Sequence, residues 1–150
     1  MTSPQDATEY LVSIDPLIVR RRVLWGECDP AGVVYTPRFA DYAASARDFW
    51  FRHVLHHSDR PHPSRRQITF PMRAMQYDFR SMIAADDVFD MAVSLAEVRT
   101  RSFTLQIAAS HPDGRPVFNA SLTQVAFDQA EGAAVIFPDP IRQTLDELIR

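Results

Sequence analysis

The feature that most constrains this chain is a single apolar stripe at helical spacing with strand-like segments behind it. Between Thr36 and Val54, apolar residues recur at Phe39, Tyr42, Ala43, Ala46, Phe49, Trp50 and Val54. Steps of three and four residues mark one buried face of a helix. Pro37 suits its first turn, where a missing N–H costs nothing. Beyond it, residues 67–80, 88–99, 101–111 and 116–128 have strand composition, and HPDGRP, residues 111–116, supplies a turn through Asp113 and Gly114. Strands that follow one another directly pair antiparallel. LIVRRRVLW, residues 17–25, adds one strand before the helix. The expectation is an α+β domain, a sheet wrapped around one long helix, with an open edge that invites pairing with a second copy.

Length bounds the organisation: 150 residues suit one domain, 1–150, because a chain of this size buries roughly two thirds of its unfolded surface. Residues 1–15 read as an N-terminal extension and 138–150 as a C-terminal helix or tail. HHSDRPHPSRR, residues 56–66, mixes proline, histidine and charge without period and reads as a loop. No leader-like segment or membrane-length apolar run is present, and the lone Cys28 cannot form an internal disulfide. The expected location is the cytoplasm.

Charge and composition exclude several chemistries. A formal net charge of -3 with scattered arginines does not make a nucleic-acid surface. All 16 cationic side chains are arginine, so neither Schiff-base catalysis nor a phosphate-binding lysine loop is open to the chain. With four glycines and no GxGxxG, the nucleotide-binding turn is missing as well.

The densest motif, GECDPAGVVYTPRF at residues 26–39, lies between the first strand and the helix. Asp29, Pro30, Ala31, Gly32, Val33, Val34 and Tyr35 resemble, in order, the signature of the 4-hydroxybenzoyl-CoA thioesterase family. EVRTRSF, residues 97–103, is similar to that family's basic strand segment, and IFPDP, residues 136–140, to its closing turn. The resemblance implies the hotdog fold, in which a curved antiparallel sheet wraps a long central helix. It also implies a homodimer or homotetramer with active sites at the dimer interface, and acyl-CoA as the substrate. Coenzyme A would enter as part of that substrate, with no separate cofactor and no metal.

Thioester hydrolysis needs a group that attacks or activates water and a donor for the oxyanion. Asp29 can act as nucleophile or general base, and a helix start offers unpaired N–H groups. By resemblance the donor is the backbone N–H of Thr36, with Gly32, Val34 and Tyr35 against the acyl group. Asp29 also has a purely structural reading as an Asp-Pro turn residue. Related bacterial hotdog thioesterases carry histidine where this chain has Thr36, so no histidine can assist from there. A hotdog hydratase acting on enoyl or hydroxyacyl thioesters is the alternative enzyme. A non-catalytic acyl-CoA binder is the alternative from another class.

Other residues carry bland readings beside functional ones. Arg99, Arg101 and Ser102 suit the phosphates or nucleotide end of coenzyme A, since arginine meets phosphate with paired hydrogen bonds; the bland reading is a charged strand end. Arg65 and Arg66 are lesser candidates for that task. Glu27, two residues before Asp29, could share its face and raise the Asp29 pKa by like-charge repulsion, but the bland reading is a solvated surface glutamate; Cys28 reads as packing, and Arg20, Arg21 and Arg22 as protection of an edge strand. His53, His56, His57 and His62 are too loosely spaced for a metal site and lack a partnering carboxylate. Phe49, Trp50 and Phe51 read as core.

Overall fold

The computed structural model describes residues 6–56 and 67–150. In chain order these are β1 (Glu9–Ile14), β2 (Leu17–Arg22), a short 3-10 turn (Trp25–Glu27) and the helix α1 (Arg38–His53). Then follow β3 (Ile68–Thr69), β4 (Met72–Phe79), β5 (Val88–Val98), β6 (Ser102–Ser110) and β7 (Pro116–Val125). The chain closes with β8 (Phe127–Asp128), β9 (Ala133–Ala134) and α2 (Asp139–Leu148). The main sheet is antiparallel, in the order β1-β2-β5-β6-β7-β4, and β3-β8-β9 form a small second sheet.

Alternation along each strand selects the face that receives α1. Val19, Phe89, Met91, Val93, Phe103, Leu105, Ile107, Phe118, Ala120 and Leu122 turn inward and are buried. Against them α1 sets Phe39, Tyr42, Ala43, Ala46, Trp50 and Phe51. Each large side chain so buried stabilises the fold by roughly 1.5–3 kcal/mol. This is the hotdog arrangement. The helical stripe differs from its expected composition at Phe49 and Val54, which are only half-buried, whereas Phe51 is buried. Phe70, just before β4, reaches over Phe51 with ring centroids 5.3 Å apart. Phe49 instead lies half-buried, with the Arg52 guanidinium 4.7 Å from its ring centre.

The β6–β7 connection is the expected tight turn. His111 N–H donates to Arg115 O at 2.9 Å, and Gly114 sits at φ +93, a region that favours glycine. The C-terminal stretch is helical over Asp139–Leu148.

Two expectations change at the other side of the sheet. Within the N-terminal extension, Glu9–Ile14 pairs with β2 as an added strand, so β2 is internal and its arginines do not guard an edge. Arg20 makes a two-pronged pair with Asp90 at 2.7 and 2.9 Å across the β2–β5 ladder. Arg21, in phase with the buried Val19, turns to the helix side. The sheet's edges are β1 and β4. On β4, Met75 and Phe79 remain 40% and 47% exposed, although they lie in register with the buried Leu122 and Phe118 of β7.

Candidate active site

After the 3-10 turn the chain makes a small hairpin. Cys28 and Val34 form an isolated antiparallel bridge, Asp29 N–H donates to Val33 O at 3.0 Å, and Gly32 N–H donates back to Asp29 O at 2.9 Å. Gly32 closes this turn at φ +81, where a Cβ would meet no atom within 4 Å but the backbone would be strained. Asp29 Oδ1 accepts the Ala31 N–H at 2.8 Å, an Asx turn that makes the structural reading of Asp29 true of one of its oxygens. Oδ2 accepts no hydrogen bond from the described residues. The side chain is half-buried.

The helix start lies just beyond. The N–H groups of Arg38, Phe39 and Ala40 donate to the carbonyls of Tyr35, Thr36 and Pro37 at 2.8, 3.2 and 3.2 Å. These tight i to i−3 bonds occupy donors that the sequence argument left open. Pro37 has no N–H, and Thr36 N–H donates to no acceptor among the described residues. Two ties hold this segment to the body: Val34 N–H to Ile83 O at 2.8 Å and Tyr35 N–H to Glu27 O at 2.9 Å.

Of the residues expected near an acyl group, Tyr35 is 54% exposed, whereas Val34 is 5% exposed and packs in the core. Gly32 is exposed. Cys28 packs against the core, as expected. His53 ends the helix and His56 lies three residues beyond it, and no three His, Cys, Asp or Glu side chains among the described residues are placed to hold a metal. His57, His62, Arg65 and Arg66 lie outside the described residues.

Glu27 corrects its expected role. It is 9% exposed. Its Oε1 accepts the Leu24 N–H at 2.8 Å and the Tyr42 hydroxyl at 3.0 Å, and its Oε2 accepts a short hydrogen bond from Arg21. Arg21 in turn lies 3.6 Å from Glu9 and 5.0 Å from the centre of the Tyr42 ring, and Ser45 donates to Glu9. Burial first, and the bond to Glu27 second, push the Tyr42 phenol well above its ordinary pKa. Alternation counted from Val19 would have placed Arg21 inside, but nothing local names Glu27 and Tyr42 as its partners.

Arg99, Arg101 and Ser102 form the β5–β6 turn, closed by Arg99 N–H to Ser102 O at 2.8 Å. Ser102 is 5% exposed. Arg99 already bonds Glu97 at 2.6 Å and Thr104 at 3.4 Å, whereas the Arg101 guanidinium is exposed and has no partner among the described residues. The C-terminal segment buttresses the turn: Arg142 donates to Arg99 O at 2.6 Å, and Phe137 is buried against Phe103.

One protomer does not bring this turn to Asp29. Val23 bonds Asp86 and Asp87, which puts the Asp29 hairpin at the Val88 end of β5. Arg99 follows the other end, Val98. At about 3.3 Å per residue the two ends of β5 are roughly 33 Å apart.

Among known proteins, the description of the thioesterase-like superfamily matches residues 23–145. A 1,4-dihydroxy-2-naphthoyl-CoA thioesterase from Synechocystis is similar in fold, with TM-score 0.76 and 19% identity over 89% of this chain and 97% of that one. A gentisyl-coenzyme A thioesterase has TM-score 0.72 and 20% identity over 85% and 98%. A protein from Thermus thermophilus has TM-score 0.72 and 23% identity over 87% and 98%. No curated protein matches by sequence.

Proposed function

The chain belongs to the thioesterase-like superfamily, and on that premise we propose that it hydrolyses an acyl-CoA to free acid and coenzyme A, with Asp29 as nucleophile or general base and the Thr36 N–H as oxyanion donor. The observation that carries this reading is that, among the described residues, Asp29 Oδ2 has no donor and the Thr36 N–H has no acceptor, at the two ends of one short tethered loop. In the nucleophilic route Oδ2 attacks the thioester carbonyl, the C–S bond breaks to release the thiolate of coenzyme A, and water hydrolyses the mixed anhydride. In the general-base route Oδ2 takes a proton from water, whose oxygen attacks the carbonyl and expels the same thiolate. Both routes place negative charge on the carbonyl oxygen, where one backbone donor is typically worth about 3 kcal/mol.

The reading takes a 4-hydroxybenzoyl type of site and an aromatic or medium-chain acyl group. Two proteins of similar fold are named as thioesterases of aromatic acyl-CoAs, which supports the aromatic choice. The site is completed by a second copy. If β4 pairs antiparallel with β4 of the partner, the partner's β5–β6 turn comes to the Asp29 end of the sheet, which supplies the phosphate-binding Arg101 that one protomer holds at the far end of β5. That pairing also covers Met75 and Phe79. A groove of about 350 Å³ beside the start of β4, lined in part by Ala44, Thr69, Pro71 and Met72, would then face the same end. Its volume suits a small ligand. A homodimer, alone or stacked as a tetramer, is therefore the working unit. No helix among the described residues is long and apolar enough to cross a membrane, and the cytoplasm remains the proposed location.

The test is thiol release from benzoyl-CoA, 4-hydroxybenzoyl-CoA and straight-chain acyl-CoAs, with Asp29→Asn beside the wild type. Release that disappears in the variant upholds the proposal. Hydration of an enoyl-CoA without thiol release would favour the hydratase, and binding without turnover would favour the acyl-CoA binder.

A further inference from the structure

Two functional groups seven residues apart in sequence, the Asp29 carboxylate and the Thr36 N–H, must keep a fixed separation to act on one carbonyl. What holds it is not the hairpin alone, whose turn is exposed over Pro30, Ala31 and Gly32. From the contacts of Glu27 we infer that this residue is the positioning element of the site. Its carbonyl accepts the Tyr35 N–H at 2.9 Å, immediately before Thr36, and its Cα lies two residues before Asp29. The same residue thus references both functional groups.

Its side chain then fixes that reference point to the body of the protein. Oε1 joins the 3-10 turn through Leu24 N–H and α1 through the Tyr42 hydroxyl, and Oε2 joins β2 through Arg21. Two other elements, α1 and β2, converge on one carboxylate that also caps its own turn and is 9% exposed. Burial at that level requires charge pairing, and Arg21 supplies it from the inner face of the sheet. The bonds from Tyr42 and Arg21 tie the carboxylate to α1 and β2, and the Leu24 N–H ties it to its own turn. Glu27 has both carboxylate oxygens engaged by protein donors. It acts through the loop.

The inference rests on the thioesterase reading and adds a residue to it. It is tested with Glu27→Gln, which keeps the size but presents an amide donor where Arg21 also donates, and with Tyr42→Phe, which removes a single hydroxyl. Steady-state thiol release from the best acyl-CoA substrate gives kcat and KM separately. Amide exchange of the substrate-free protein gives the protection of the Tyr35 N–H against that of β6 in the core. Misplacement of reacting groups by about 1 Å costs on the order of 100-fold in rate. The expected result for Glu27→Gln is a kcat lowered ~10- to 100-fold with KM within ~3-fold, as befits loss of transition-state geometry rather than of binding. Tyr35 protection should fall at least ~10-fold while β6 stays protected, and Tyr42→Phe should show a smaller change of the same kind. Unchanged kcat, or a kcat loss that only follows global loss of protection, overturns the inference. A wild-type chain that releases no thiol defeats the thioesterase reading instead, and retained Tyr35 protection in Glu27→Gln would then still overturn the anchoring.

Discussion

Asp29 carries two separable roles on its two oxygens, and two substitutions should pull them apart. Asp29→Asn keeps an oxygen at the position of Oδ1, so the 2.8 Å bond from Ala31 N–H survives; Asp29→Ala removes it. A hydrogen bond of this kind, in a half-buried turn, contributes about 1 kcal/mol, which for a chain of this size lowers Tm by roughly 2–4 °C. Asp29→Asn should melt within about 0.5 kcal/mol of the wild type and Asp29→Ala about 1 kcal/mol lower. Both should lose turnover by about a thousandfold or more, because the carboxylate that attacks or takes the proton is gone in each. Urea melts give the stabilities, and thiol release on the same preparations gives the rates. An Asn variant as unstable as the Ala variant would mean that charge, not the turn acceptor, holds the loop. An Asn variant that still turns over would remove Asp29 from the chemistry.

Three further outcomes follow from the structure. Tyr42 holds its proton above the ordinary tyrosine value of about 10, so the unfolded chain loses that proton first as pH rises; stability present below pH 10 should decline above it by about 1.4 kcal/mol per pH unit, and alkaline urea melts of Tyr42→Phe should show a flatter decline. Met75→Arg puts a charge on the exposed apolar edge of β4, and light scattering should find monomers with turnover lost; a fully active monomer would refute the shared site. Arg101→Ala should raise KM for acyl-CoA with kcat nearly unchanged, and by more than Arg99→Ala does, since Arg99 is already engaged with Glu97 and Thr104.

The sequence by itself determined the parts of this protein that depend on neighbours a few residues away. Helical spacing located α1 to within two residues at its start and one at its end, strand composition located the long strands although 67–80 and 116–128 each divide between two sheets, and Asp113-Gly114 located the turn between β6 and β7. The Asp29 motif stood out only through its resemblance to a known family, since Asp-Pro by itself reads as a turn. Tertiary structure decided the rest. Which strand lies at an edge depends on long-range pairing, so the arginines of β2 became internal only once Glu9–Ile14 paired beside them. Phe49, read as core, was left half-buried beneath Arg52. Glu27 turned from a surface residue into a buried clasp because strand register set Arg21 inward and α1 brought Tyr42 to it. The separation of Asp29 from Arg99 and Arg101 is likewise a property of the sheet: opposite ends of one strand are local facts, but which loop each end meets is settled only when the strands pair.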